Sequence, residues 1–168
     1  MDQNTTQKYV DPIWCAKMRS LIGLHELPGP AIDPTIARWF ALVGLAGAQD
    51  DLTPWCSVAM NGVFHDVGMT GTLSPAARSW LHYGVQLAEP VHGCVLVFSR
   101  PPDPSHGHVA LYDATSLFND ATNIAALGGN EDNQIKVKPY DRGRLLGSFW
   151  PTGVALPAGA HLYVHPVA

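Results

Sequence analysis

Apolar positions follow a helical period in the first half of the chain and a strand period in the second. Between residues 12 and 24, Ile13, Trp14, Met18, Leu21 and Ile22 fall on one face of a helix expected to close near Gly23. After the breaker cluster Leu27-Pro28-Gly29-Pro30, Asp33 is placed to cap a second helix. Pro34 is its first residue, and Ile36, Trp39, Phe40 and Val43 form its buried stripe. A third apolar helix runs through Cys56, Ala59, Met60, Val63, Phe64 and Val67 to Gly68. A short one starting at Ser74-Pro75 carries Trp80 and Leu81.

After Gly84 the pattern shortens to β-rich runs. Cys94 to Phe98 and His108 to Tyr112 flank the turn-rich stretch Arg100-Pro101-Pro102-Asp103-Pro104-Ser105-His106-Gly107. Further strands are expected at Ile124 to Leu127, Ile135 to Val137, Leu145 to Trp150 and Leu162 to Val164, with Gly128-Gly129-Asn130 as a tight turn. Helices first and strands second predict an α+β domain with N-terminal helices packed on an antiparallel sheet. With no repeat, charge block or long linker, residues 1–168 are expected to form a single catalytic domain.

Composition narrows the function classes. The 168 residues are 46% apolar and 14% charged, the make-up of a globular domain, and the formal net charge of −4 offers no basic surface for nucleic acid. No apolar run nears the ~20 residues of a membrane span. The polar opening Met1-Asp2-Gln3-Asn4-Thr5-Thr6-Gln7 has no secretory apolar core, so synthesis in the cytoplasm without a signal peptide is expected.

Three cysteines, Cys15, Cys56 and Cys94, are too few and too widely spaced for a disulfide framework or a metal knuckle. Cys15 lies on an apolar helix face and Cys94 opens an apolar strand, so both read as core thiols. Cys56 differs: with Thr53 as cap and Pro54 as first helical residue, it falls in the first turn. There the helix dipole and free backbone N–H groups favour thiolate and could hold an oxyanion.

A thiolate nucleophile needs a proton carrier, and His108, at the start of a strand after the side-chain-free Gly107, is chosen among eight histidines. Alternation places His108, Ala110 and Tyr112 on one face, away from Asp113. Asn130 is expected to orient the imidazole, with Asn123 in reserve. Trp55, Trp80, Tyr140 and Trp150 are candidate groove residues for substrate, although aromatics of this kind commonly sit in the core.

The segments Trp55-Cys56-Ser57, Gly93-Cys94-Val95-Leu96-Val97-Phe98, Gly107-His108-Val109-Ala110-Leu111-Tyr112 and Leu127-Gly128-Gly129-Asn130 resemble, in this order, the NlpC-type and CHAP cysteine peptidases. The similarity is to a small branch found among phage lysis enzymes and bacterial wall hydrolases, and it spans roughly residues 20 to 150. It implies a papain-like fold and hydrolysis of a peptidoglycan amide, with Cys56 as nucleophile, His108 as base and Asn130 as orienting residue, without metal or cofactor. Cys94 stands where many relatives carry an acid, and no wall-binding repeat flanks the segments.

The resemblance further implies a monomer whose partner is the glycan or peptide of the wall. It acts on the wall or periplasm after release or secretion, as an endolysin, a remodelling enzyme or an effector restrained by an immunity protein. Two rival expectations are a metal-dependent amidase built on His106 and His108, and a non-catalytic wall-binding module.

Overall fold

A computed structural model describes residues 9–27, 31–47 and 53–164. The breaker residues 28–30 and the polar opening lie outside these residues.

The helical half forms three α-helices, α1 (Ile13–Ser20), α2 (Pro34–Leu42) and α3 (Cys56–Asp66), followed by a 3-10 helix at Ala77–His82. At the start of α2, the Asp33 carboxylate accepts from the N–H groups of Thr35 (2.8 Å) and Ile36 (3.4 Å), and Pro34 occupies the first turn, as its sequence predicts. By contrast, α1 stops at Ser20, and only Trp14, Cys15 and Met18 form its inner face. Ile13 and Ile22, expected inside, are exposed.

Central to the core is α3, buried at every position from Cys56 to Phe64 and packed against α1, α2 and the sheet. Such a helix is mostly apolar on every side because its first nine residues have no solvent face. Its close contact with α2 depends on Gly62, where a Cβ would stand 2.1 Å from Cγ of Trp39.

Six strands make one antiparallel sheet: β1 (Val85–Gln86), β2 (Val95–Ser99), β3 (Gly107–Tyr112), β4 (Asn123–Gly128), β5 (Lys136–Asp141) and β6 (Leu145–Trp150), ordered β1-β6-β2-β3-β4-β5. The architecture is α+β, with an antiparallel sheet against N-terminal helices. Two-residue β1 escaped the sequence pattern because so short a run has no period to detect. The expected strand at 162–164 reduces to an isolated bridge, Leu87 to Leu162.

Pairing in the sheet is uneven, and this makes room for a site. β2 and β3 are in register from Val95 opposite Leu111 to Ser99 opposite Gly107. β3 and β4 pair only at Leu111 and Tyr112. Toward His108 the two strands part, and the turn joining β4 to β5 fills the gap. That turn is braced by the segment after α1, through Glu26 N–H to Asn133 C=O (3.0 Å) and Ile135 N–H to Leu24 C=O (2.8 Å).

The Gly128-Gly129 pair works differently from a turn. Left-handed backbone is taken instead by Asn130 (φ 56°), Asp132 (φ 51°) and Asn133 (φ 62°), residues whose short polar side chains tolerate it. The glycines permit close approach. A Cβ on Gly128 would lie 2.8 Å from Cβ of Ala110, and one on Gly129 would lie 2.5 Å from Cβ of Ala59 and 2.7 Å from the Trp55 ring. Thus β4 is drawn against β3 and its end against the first turns of α3.

Candidate active site

The helix bearing Cys56 begins one or two residues later than its sequence predicts. Trp55 is the cap, without a side-chain capping bond, and Cys56 is the first helical residue, so Thr53 and Pro54 both precede the cap position. This strengthens the position of the sulfur. The N–H groups of Cys56, Ser57 and Val58 precede the first intrahelical bond, from Ala59 N–H to Trp55 C=O (2.8 Å), and they concentrate positive potential at the helix end.

A polar cluster beneath the turn fixes its orientation. The Ser57 hydroxyl donates to Ser74 C=O (2.7 Å) and accepts from the Trp80 indole N–H (2.9 Å). The Asn61 amide donates to Ser57 C=O (2.9 Å) and Ser74 C=O (3.0 Å), while its oxygen accepts from Leu73 N–H (2.7 Å). Both side chains are fully buried, so these bonds are costly to lose. Sequence reasoning missed Ser57 and Asn61. Polar residues four apart on an otherwise apolar helix were the available signal.

Cys56 and His108 face each other. Burial alone would raise the thiol pKa, but the His108 imidazolium and the N–H groups of Val109 and Ser57 outweigh it, leaving the thiol below its ordinary value. In the other direction, burial works to lower the His108 pKa, yet the thiolate and Glu131 raise it to about 9. The two shifts run in opposite directions because each group favours the charged form of the other. Little of either side chain meets solvent: Cys56 is 2% exposed and His108 5%.

The third member of this arrangement is Glu131. Its Oε1 lies 2.7 Å from His108 Nε2, off the line of the N–H, so the contact is an ion pair rather than an aligned hydrogen bond. Its Oε2 accepts from the Tyr140 hydroxyl at 2.7 Å. Asn130, expected at this place, instead supplies the left-handed turn that aims its neighbour inward, and it lines the adjoining cavity. The reserve candidate Asn123 is bonded to Asp120 (3.1 Å) on an exposed turn. A carboxylate buried to 1% beside an imidazole is placed for the orienting role, and the signal for it was a charged residue one step beyond the glycine pair.

Among the aromatic candidates, only Tyr140 adjoins His108. Trp55 and Trp80 are fully buried and Trp150 is 3% exposed, so Trp55 and Trp80 are core residues rather than groove walls. An aromatic residue in an apolar segment reads equally well as groove or core in a one-dimensional pattern. A Cβ on Gly107 would meet Phe98 C=O at 3.0 Å and Cγ of Arg78 at 3.2 Å, and the Nε of Arg78 donates to His106 C=O (3.1 Å).

Cys15 and Cys94 are buried, and both thiols are pushed up by desolvation, Cys94 to about 12. Asp113 pairs with Arg19 at 3.0 Å. His106 is exposed with Nδ1 3.5 Å from Asp103, while His108 turns toward Glu131, so the two histidines converge on no shared ligand position. Among the described residues, the group with three ligand atoms close together is Asp11, Cys15 and His92. There the Asp11 carboxylate is already held by Arg19 at 2.8 Å.

Compared with family models, with curated proteins and with solved structures, the chain matches none. The fold defines an α+β class protein, and its site is a buried Cys-His-Glu constellation. Among the described residues, no helix is long and apolar enough to cross a membrane.

Proposed function

We propose that this protein is a papain-like cysteine hydrolase that cuts an amide bond of peptidoglycan. The observation carrying the chemistry is the Cys56 thiol in the first turn of a helix, facing His108, whose Nε2 lies 2.7 Å from Glu131. The choice of wall substrate rests on the resemblance of the four segments around Cys56, Val95, His108 and Gly129, and on the order in which they occur.

In this reading the Cys56 sulfur adds to the amide carbonyl carbon, and the oxygen, now negative, is held by N–H groups at the start of α3. Collapse of the tetrahedral intermediate breaks the C–N bond, and His108 gives its proton to the departing amine. A water, deprotonated by His108, then cleaves the thioester, releasing a carboxylic acid and restoring the thiolate and imidazolium. Glu131 keeps the ring oriented and stabilises its charged form throughout. Against the burial that raises the thiol, the His108 imidazolium is the largest influence that lowers it.

Mass spectrometry of muropeptides released from purified sacculi by the wild type and by Cys56→Ala tests both parts. New fragments from the wild type alone are expected. Identical digests would end the nucleophile assignment, and wild-type cleavage of other amides with intact sacculi would end the wall assignment.

A further inference from the structure

Backbone groups on β3 face its two neighbouring strands in turn. Tyr112 N–H donates to Cys94 C=O (2.9 Å) on the β2 side, and Asp113 N–H donates to Ala125 C=O (3.1 Å) on the β4 side. By the alternation of an antiparallel ladder, His108 and Ala110 also bond toward β2, while Val109 and Leu111 turn their N–H and C=O groups toward β4. Leu111 finds Leu127 there. Val109 would find Gly129, but β4 ends at Gly128, and Gly129 is packed against Ala59 and Trp55 instead.

Val109 is fully buried, so no water replaces the missing strand partner, and a buried N–H left without an acceptor is costly. This N–H donates to the sulfur of Cys56. The sulfur thus takes the acceptor place that a β4 carbonyl would have held. Two consecutive residues of β3 act on it, His108 through its ring and Val109 through its main chain.

Resting on the hydrolase reading above, we propose that the Val109 N–H is a catalytic group that holds the Cys56 sulfur whenever it is negatively charged, before attack on the amide and again as it leaves the thioester. As the C–S bond forms, the charge passes from sulfur to the carbonyl oxygen. After water has added to the thioester carbon, the C–S bond breaks and the charge returns to sulfur, where the N–H receives it. A donor fixed by the sheet needs no reorganisation at either step. The parting of β3 from β4 then has a chemical consequence, because a continued ladder would pair this N–H with a carbonyl.

Replacing the Val109 amide by an ester removes the N–H and keeps the side chain. The full chain is assembled by ligating residues 1–93 to a synthetic 94–168 segment at Cys94. The control carries its ester at Ala110, on the β2 ladder. Alkylation of Cys56 by iodoacetamide is followed against pH, together with the acid limb of muropeptide hydrolysis. In the Val109 ester both should move up by about one pH unit, with labelling about tenfold slower on the acid side. The alkaline plateau of alkylation should not fall, since a less acidic thiol gives a stronger nucleophile. Neither limb should move in the Ala110 ester.

Unmoved limbs in the Val109 ester, or equal movement in both esters, overturn the proposal. Should the Val109 ester not fold, the unaltered backbone decides. With a magnetically active selenium isotope in place of the Cys56 sulfur, a scalar coupling between selenium and the Val109 amide proton is expected, and its absence overturns the contact. Alkylation needs no substrate, so a wild type that cuts no sacculus while its alkylation limb still depends on the Val109 N–H overturns the hydrolase reading and the catalytic role, and leaves the sulfur contact standing.

Discussion

Tyr140 lies face to face with His108, the ring centroids 4.9 Å apart and the planes within 9° of parallel, and its hydroxyl donates to the same Glu131 that pairs with the imidazole. One residue on β5 thereby holds both the plane of the imidazole and the carboxylate that stabilises its charge. Phe98 packs beside both rings, 4.6 Å from the Tyr140 centroid and 6.5 Å from that of His108. Tyr140→Phe keeps the stack and removes the donor. A fall in kcat of about 3- to 10-fold with little change in KM is expected, since a single neutral hydrogen bond contributes about 0.5–1.5 kcal/mol.

Thiol chemistry should separate the three cysteines. Cys56 is depressed by its imidazolium, whereas Cys15 and Cys94 are raised by burial. Brief treatment with iodoacetamide at pH 7, followed by peptide mapping, should label Cys56 first and abolish hydrolysis in proportion. Labelling of Cys94 ahead of Cys56, or full labelling of Cys56 with activity retained, would contradict the nucleophile assignment.

The pH profile should carry the signature of the ion pair. Activity rises as Cys56 loses its proton, at a pH below that of an ordinary thiol, and falls as His108 loses its proton near 9. Because Glu131 helps raise the imidazole, Glu131→Gln should move the alkaline limb to lower pH and reduce kcat by roughly 10- to 100-fold, in the range of general acid–base contributions. Asn130→Ala should leave the position of that limb unchanged, because Asn130 supplies a backbone turn rather than a partner for the ring. A limb that moves in Asn130→Ala and not in Glu131→Gln would reverse the assignment.

Close packing behind the site makes a stability prediction. A methyl on Gly129 would meet Ala59 at 2.5 Å and Trp55 at 2.7 Å, both on the segment that presents Cys56. Overpacking of this sort costs about 1–3 kcal/mol. Gly129→Ala is therefore expected to lower the urea midpoint and also to reduce kcat, by shifting the start of α3 relative to Glu131. Unchanged stability in that variant would show that the two elements are looser than described.

Acid stability should depend on a second, remote cluster. Asp11 is held at about 2 chiefly by Arg19, against a smaller opposing effect of burial, with His92 and Cys15 contributing. A carboxylate depressed in the folded state stabilises the fold above its unfolded value of about 4 and loses that contribution as pH falls through about 2. Asp11→Asn should be less stable than the wild type near neutrality, and the gap should close between those two pH values. Denaturant titrations across the range would measure it, and a gap independent of pH would sink the idea.

What the sequence determined by itself was local. The Asp33-Pro34 cap, the change from helical to strand period after Gly84, and a cysteine beginning an apolar helix are all written in nearest-neighbour chemistry. Each appears where the pattern places it, to within a residue or two. The strand start at Gly107-His108 was legible for the same reason.

Only the tertiary structure decided which side chain would stand behind His108 and which aromatics would line a cavity. Asn130 and Glu131 are adjacent, and the choice between them turns on the left-handed backbone at Asn130 and on the parting of β3 from β4, neither of which has a sequence period. Trp55, Trp80 and Tyr140 are equally aromatic in sequence. Their fates differ because two are enclosed by α3 and its neighbours, while the third sits on an edge strand beside the imidazole. Burial and long-range charge are properties of the assembled chain, set by residues far apart in sequence, so a local pattern can nominate candidates for a site but cannot choose among them.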